Sequence, residues 1–445
     1  MMFMKNISVW KDLKIKKEFP KLNSNKEVDI LIIGGGITGI STLYHLKEST
    51  QKVMLVEQNK IGQSITANST GKLSYMQNDL IDKIRENASD EKASLYLKAQ
   101  IDAINMIKDT IKNEKIRCDL KEVPSIIYTN KESEIEKLRD LVSFLRKNGI
   151  NVSVANNDIV QSKYMIKSNN TYLIHPLKFV YGLIKNNDEI YENTSIKKII
   201  KKNDLYICYT DNSIIKCKYV VLASHYPFFI LPYAFPLKCI LEKSYISLSP
   251  SNYEDLSLIS YSNPFISLRT YKNNLIYLSN SHEISKDVDD QNNFKELIKK
   301  VSDLKLKPTY LWSNIDIITN DGIPFIGKIK GNMLIGTGYN TWGLTNGFLA
   351  GKILSDIILN KDNEYLDLFN PKRKIKGISK NISSTLNGYV NGFLTKSKKC
   401  QICPHAYSKL IYNDIEQTWD CPCHGSRFDA SGKCISGPSN KDINL

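Results

Sequence analysis

Apolar positions along the chain follow two periods, and their order predicts an α/β architecture that ends in a different kind of module. Val28–Ile33 is a near-continuous apolar run, and glycines 34 to 36 follow it at once. Such a run, closed by glycine, reads as a buried parallel strand. The spacing turns helical from about Ile37 to Lys47, and Lys52–Val56 is a second apolar run, so the chain opens with a βαβ unit. Residues 80–150 carry a helical period with many charges, marked by Ile101, Ile104, Ile107 and Ile111. Residues 151–225 break into short strand-like runs between polar turns and end in Tyr219–Ala223. Residues 240–310 are again strand-like, with runs at Tyr245–Leu248 and Leu275–Leu278, and residues 333–359 repeat the order strand, glycine turn, helix. Residues 1–26 form a polar lead-in with Trp10 and Phe19-Pro20 as packing points. No internal repeat or low-complexity tract is visible.

The run Tyr219–Leu241 is long enough to suggest a membrane span, but Pro227, Pro232 and Pro236, with His225 and Lys238, break it. It is expected to be a buried strand leading into an irregular loop, and no transmembrane segment is expected. The opening MMFMKNISVW has too short an apolar run for a secretory signal. Composition adds size and setting: 445 residues allow two or three domains, and 42% hydrophobic residues allow a sizeable core. The formal charge, 61 − 46 = +15, is spread among Ile and Asn rather than clustered. It reads as a Lys-rich solvated surface, and no nucleic-acid partner is expected. Of nine cysteines, Cys118, Cys208, Cys217 and Cys239 are scattered and five crowd into residues 400–445. That distribution predicts a reducing cytoplasm and a local metal site rather than a disulfide framework.

Gly34-Gly-Gly36-Ile37-Thr38-Gly39 fits G-x-G-x-x-G between a strand and a helix, and Glu57 closes the second strand 23 residues beyond Gly34. Gly34 permits the tight turn, Gly36 lets backbone approach a pyrophosphate, and Gly39 lets the helix pack close to the sheet. The anion sits at the positive end of the helix, and the acidic residue can hold ribose hydroxyls. This motif alone leaves FAD and NAD both open.

Further segments extend it. Ser64-Ile-Thr-Ala-Asn-Ser69-Thr70-Gly71-Lys72 is a small-residue loop, and Val220-Val-Leu-Ala223 ends a strand. Asn320-Asp-Gly-Ile-Pro-Phe-Ile-Gly327 has the form D-G-x-P-x-I-G, and Gly336-Thr-Gly-Tyr339-Asn-Thr-Trp342-Gly343-Leu344-Thr345-Asn-Gly347 turns into a helix. In these segments the chain resembles the FAD-dependent amine and amino-acid oxidase family, the glycine/D-amino-acid oxidase type, from residue 10 to about 373. The resemblance implies a Rossmann-like FAD-binding domain built from discontinuous segments (about 27–105, 150–230 and 310–370). It also implies an antiparallel-sheet substrate domain (about 106–149 and 231–309) over the flavin. It assigns Ser69 to Lys72, Ala223, Gly327 and Gly343 to Thr345 to the cofactor, and places backbone N–H groups of the last helix start at the flavin. The expected reaction is oxidation of a C–H beside an amine or hydroxyl, with a small-molecule electron donor. Four residues are candidates for catalysis or substrate binding. Arg269, on a predicted strand, reads either as a carboxylate clamp or as a surface or salt-bridged arginine; His282 reads as a flavin-side or a structural residue, and Tyr339 and Trp342 as ring neighbours or as packing aromatics. His175 reads as a structural turn before a helix, His225 as capping or packing, and His45 as core or surface.

The basic stretch from Pro371 to Lys376 opens a linker (371–395) to a short module at 396–445. There Cys403-Pro-His405 and, 15 residues on, Cys421-Pro-Cys423-His424 offer two thiolates and two imidazoles. Two cysteines can hold one iron and two histidines the other. A zinc site using Cys400, Cys403, Cys421 and Cys423 is the alternative. The longer run Trp419–Asp429 resembles the second box of Rieske [2Fe–2S] proteins, and Gly437-Pro438 their later proline loop. The resemblance implies Cys403, His405, Cys421 and His424 as ligands of a small all-β module. Ser408 stands where many Rieske proteins carry a cysteine, so Cys423 lacks its usual disulfide partner; Cys400 is a candidate substitute that spacing does not decide. Phe428 stands where high-potential forms place a tyrosine, which implies a low potential within the Rieske range. Only 29 residues separate Arg373 from Cys403, so the module's base is short and is expected to lean on the flavin domain. The order of domains resembles a bacterial group of cytoplasmic FAD-dependent oxidoreductases with a C-terminal Rieske domain, whose electron acceptor the sequence leaves open.

Overall fold

The structure is a computed structural model that describes residues 4–12, 17–156, 158–226, 237–286, 289–375, 387, 390 and 401–445. Among these residues the chain forms three sheets of eight, nine and four strands. The eight-stranded sheet runs in the order Phe325–Lys330, Met333–Thr337, Ile214–Leu222, Lys26–Ile33, Val53–Val56, Glu189–Tyr191, with a hairpin at 198–209 added at one side. Its central joins are parallel: Ile30 to Ile33 pair with Tyr219 to Leu222 on one side and Val53 to Val56 on the other. Both faces of the central strand are covered, which is why Ile30, Leu31 and Ile32 are all fully buried and the run reads as continuous rather than alternating.

Two helices lie across one face. The Ile37–His45 helix packs against the Gly343–Ile358 helix through small residues. A Cβ at Gly351 would stand 2.3 Å from Ser41 Oγ, and one at Gly347 would stand 2.6 Å from Ile37 Cγ2. The helices approach because those side chains are missing.

The nine-stranded sheet follows the order Tyr310–Thr319, Cys239–Pro250, Asn274–Glu283, Ser267–Thr270, Ser257–Ser260, Lys121–Thr129, Tyr164–Leu173, Lys72–Leu73, with Ser153–Val154 added beside Tyr164–Leu173. Its joins are antiparallel except where Ser257–Ser260 meets Lys121–Thr129. Four of its strands, Lys72–Leu73, Ser153–Val154, Tyr164–Leu173 and Tyr310–Thr319, come from segments that read as flavin-binding. The Lys121–Thr129 strand interrupts the 80–150 stretch expected to be helical; Pro124 and the charges of Lys121 and Glu122 masked its alternation, while Leu80–Asn87, Asp90–Asn113 and Ile135–Lys147 are helices.

The four-stranded antiparallel sheet is the cysteine-rich module: Ile411–Asn413, Thr418–Asp420, Arg427–Asp429 and Cys434–Ser436. Its base is short, and the rest of the molecule supplies what is missing. Alternation along two strands of the nine-stranded sheet sets the docking. Lys243 faces outward, its ammonium 2.6 Å from Asp420 of the module and 2.9 Å from Asp290. Arg427 pairs with Asp420 at 3.0 Å and Glu416 at 2.8 Å, and Glu416 accepts from the Ser313 amide at 3.0 Å. Gly425 lies on Ile315 and Leu241. The expected linker begins docked, since Arg373 pairs with Asp321 at 2.7 Å. Pro227, Pro232, Pro236, Cys400 and most of the linker lie outside the described residues. Among the described residues no helix is long and apolar enough to cross a membrane.

Candidate functional site

One cavity of about 380 Å³ lies between the first two sheets, and residues of all three modules line it. The glycine turn forms its floor. Gly34 sits at φ +112°, and a Cβ there would meet the Ala223 carbonyl oxygen at 2.5 Å. A Cβ at Gly39 would stand 1.9 Å from the Gly34 carbonyl oxygen. Gly39 thus works by letting helix meet turn, and is not itself on the cavity wall. Glu57 accepts from the Gly35 amide at 2.7 Å and the Asn59 amide at 2.8 Å, which ties the turn to the end of the second strand. Burial pushes its carboxyl up against the pull of those amides.

Two helix starts, at Ile37 and at Gly343, open on this cavity; neither N-cap residue supplies a side-chain cap, and the Ile37 amide donates to Thr66 Oγ1 at 3.1 Å. The other first-turn amides, with the helix dipole behind them, suit anionic or acceptor groups of a ligand. Gly34, Gly36, Ile37, Thr38, Glu57, Ser69 to Lys72, Ala223, Gly343 and Leu344 all line the cavity. So do Tyr339 and Trp342. Tyr339 shares a 2.7 Å hydrogen bond with Thr38, and burial pushes its phenol up. The Trp342 Nε1–H is buried without an acceptor among the described residues. These features fit FAD: a glycine cradle and one helix start for the pyrophosphate, a second helix start for the ring, and an orphaned donor on the residue that opens the second helix.

Two expected cofactor residues stand elsewhere. Gly327 packs on Pro371, since a Cβ there would meet its Cδ at 3.1 Å, and Thr345 donates to Gln100 at 2.9 Å inside the core. Nor does Arg269 face the cavity. It is 1% exposed and donates to the carbonyls of Gly71 (2.7 Å), Thr70 (2.9 Å) and Ile174 (3.1 Å). With these acceptors it holds the Thr70-Gly71 loop in place and does not reach toward a substrate carboxylate. His282 is on the opposite face too: its ring stacks on Tyr245 at 5.6 Å beside Lys243, and burial lowers its pKa. His175 caps the helix it precedes, accepting from the Lys178 amide, and His45 packs edge-on to Phe348. His225 lines the cavity at φ +62°, with burial pulling its pKa down to about 4.

Lys72, which the resemblance assigned to the cofactor, lines the cavity, and so do several residues outside every motif. Lys72 donates to Ser267 at 2.7 Å and to the Leu258 carbonyl at 3.0 Å; burial, with Arg269 nearby, depresses its pKa well below the usual lysine value. On the nine-stranded sheet, Glu242, Ser244, Asn314 and Asp316 face inward. A two-residue alternation in 241–245 and 313–317 was the available signal. The cysteine-rich module closes the wall with Ser436 to Asn440. Ser64 donates to Ser436 at 3.2 Å, Asn59 Nδ2 to the Cys434 carbonyl at 3.0 Å, and Asn440 Nδ2 to the Ile196 carbonyl at 3.0 Å.

Within that module the four expected ligands come together as two pairs. Cys403 and Cys421 are buried side by side, and their interaction lowers the Cys403 thiol and raises that of Cys421. The imidazoles of His405 and His424 stand 5.0 Å apart, centre to centre. Two thiols on one side and two imidazoles on the other match a [2Fe–2S] cluster held by cysteines at one iron and histidines at the other. Among the described residues no group of three or more His, Cys, Asp or Glu is placed to hold one metal ion. The Ser408 hydroxyl donates to the Lys409 carbonyl at 3.2 Å, and burial pushes the Cys423 thiol up to about 11. Tyr226, on the cavity wall, stands 5.8 Å from the His424 ring.

The family model for FAD dependent oxidoreductases, DAO, matches residues 29–357, and that for the Rieske [2Fe-2S] domain matches residues 400–445. YhfW of Bacillus subtilis (strain 168), provisionally named a Rieske 2Fe-2S iron-sulfur protein, is 28% identical over 98% of this chain and 96% of its own. Gamma-glutamylputrescine oxidoreductase of Escherichia coli (strain K12) is 23% identical over 79% of this chain and 88% of its own. Among solved structures, glycine oxidase from Geobacillus kaustophilus superposes with a TM-score of 0.67 at 17% identity, covering 79% of this chain and 100% of that one. With both modules matched and the cavity and ligand pairs in place, the chain belongs to the DAO family of FAD-dependent oxidoreductases and carries a Rieske [2Fe–2S] domain.

Proposed function

We propose that this oxidoreductase takes a hydride from a small amine or amino-acid-like donor in the cavity and passes the electrons on through its Rieske domain to an acceptor in the cytoplasm. Bound in their sites, FAD supplies a two-electron hydride acceptor and the [2Fe–2S] cluster a one-electron carrier. The observation that carries the reading is the shared wall. Ser436 to Asn440 of the Rieske domain line the same cavity as the glycine turn and both helix starts. A module kept only for structure has no need to touch the cofactor cavity. Tyr226 joins the two sites from the other side, against His424. One relative's name, gamma-glutamylputrescine oxidoreductase, refers to an amine derivative, in keeping with an amine donor here.

The chain's own residues have separate tasks. Arg269 and Glu57 fix the loops that define the cavity. The helix starts at Ile37 and Gly343 stabilise negative charge. Tyr339 and Trp342 cover the space beside the second of them. The test is anaerobic titration with amines and amino acids, read by flavin absorption and low-temperature EPR. The expected result is bleaching of the flavin bands together with a reduced-cluster signal averaging below the free-electron g-value. Bleaching with no cluster signal, in protein shown to contain iron and sulfide, leaves a plain flavin oxidase. No bleaching by any donor leaves a redox carrier or sensor.

A further inference from the structure

The substrate side of the cavity has an arrangement that sheet stability does not explain. Glu242 and Asp316 are directly opposed in the antiparallel register of Cys239–Pro250 and Tyr310–Thr319. Two carboxylates directly across from one another repel, and such pairs destabilise a sheet. Neither forms an ion pair with a lysine or arginine among the described residues. Next along the same face are Ser244 and Asn314, also directly opposed. Asn314 is 5% exposed and donates through Nδ2 to Asp316 at 3.1 Å. Its Oδ1 is buried and has no hydrogen-bond donor among the described residues. A buried acceptor left open is costly, on the order of 1–3 kcal/mol, unless a ligand donates to it. All four side chains line the cavity, and so does Asp79. The lysine at this end, Lys83, donates to the Thr319 carbonyl at 2.9 Å.

We infer that Glu242, Asp316 and the Oδ1 of Asn314 form the subsite for a cationic nitrogen of the electron donor, which makes that donor an alkylamine carried in as its ammonium form. The inference rests on the proposed function and narrows its substrate class. An ammonium group has three donors and one positive charge, and the subsite offers two carboxylates and one open amide oxygen. Charge-assisted hydrogen bonds of this kind are the stronger ones. Ile246, Phe265 and Leu278 line the cavity as well, and give an alkyl chain an apolar wall. A divalent cation is the competing occupant, but no group of three or more His, Cys, Asp or Glu is placed to hold one among the described residues. An α-amino acid is disfavoured because Arg269, the expected carboxylate clamp, is engaged with backbone.

The FAD-loaded protein is titrated without air with n-butylamine, 1,4-diaminobutane, n-butanol, glycine and magnesium chloride, and the shift of the flavin absorption bands gives each Kd. In the wild type the two amines should bind at least tenfold more tightly than n-butanol or glycine, and magnesium should neither bind nor compete. The double variant Glu242→Gln/Asp316→Asn should lose at least tenfold in amine affinity with n-butanol unchanged. Asn314→Leu, which removes the open acceptor and leaves both carboxylates, should lose affinity in the same direction and serves if the double variant does not retain FAD. Equal affinities for n-butylamine and n-butanol in the wild type overturn the subsite, as does competition by magnesium. If that happens while an amine still bleaches the flavin, the proposed function stands and only the subsite falls. If the amines bind tightly but no donor bleaches the flavin, the subsite stands and the function falls.

Discussion

Arg269 and Glu57 are charged residues whose partners in the fold are backbone groups rather than other charges. Arg269 satisfies three carbonyls of two loops at once, and its guanidinium lies 5.5 Å over the Trp10 ring. Replacing it with methionine keeps much of the volume and removes every donor. Each buried acceptor left open costs about 1–3 kcal/mol. Arg269→Met is therefore expected to destabilise the protein by roughly 3 kcal/mol or more and to release FAD, because Thr70 and Gly71 line its cavity. Thermal melting with and without added FAD, and the flavin content after gel filtration, check this. A variant that keeps its flavin and its melting temperature would show that the loop holds without the arginine. The motif position and residue type suggested a substrate clamp; only the contacts distinguish a clamp from a loop anchor, since both need a buried arginine.

At the scale of elements, the two edge-ward strands of the nine-stranded sheet separate two chemistries by alternation alone. Glu242, Ser244, Asn314 and Asp316 face the cavity, while Lys243 and Ile315 face the Rieske domain. A one-residue slip would exchange the faces. The outward face carries the docking network. Burial pushes the carboxyls of Asp420 and Glu416 up, but Arg427 and Lys243 outweigh it and hold both below the usual carboxylate range. A depressed acid contributes stability above its unfolded pKa, about 4, and loses it as pH falls through the folded value. The network is thus intact at neutral pH, and acidification from about pH 4 downward should loosen the Rieske domain first. Hydrogen exchange of the Ser313 and Ile315 amides against pH checks it. Protection that falls no faster there than in the central Lys26–Ile33 strand would count against the network as the acid-sensitive joint.

For the whole molecule, the Rieske domain shares a cavity wall with the glycine turn and both helix starts. Its four short strands have a core of their own around Trp419, Phe428 and Leu410, yet its proline loop closes the cavity wall and its back rests on the nine-stranded sheet. Removing residues 401–445 should therefore weaken FAD binding at least tenfold even though all the glycine-turn residues remain. Flavin fluorescence titration of the truncated chain gives the number. An unchanged affinity would mean that Ser436 to Asn440 only cover the cavity.

The βαβ opening, the glycine turn with Glu57, the second glycine-to-helix turn and the two cysteine-histidine boxes were legible in the sequence. Each is a local device whose residues are set by backbone geometry or ligand chemistry within a few positions, so spacing alone carries the information. What tertiary structure decided is which distant segments share a wall. It assigned Tyr164–Leu173 and Tyr310–Thr319 to the nine-stranded sheet, turned Arg269 and His282 away from the cavity, and moved Gly327 and Thr345 into packing roles. It also set Glu242 against Asp316 and brought the proline loop of the last 45 residues onto the site opened by Gly34. Those outcomes depend on strand register and on contacts between residues far apart in the chain. A single sequence records the period of a strand but not the partner it pairs with.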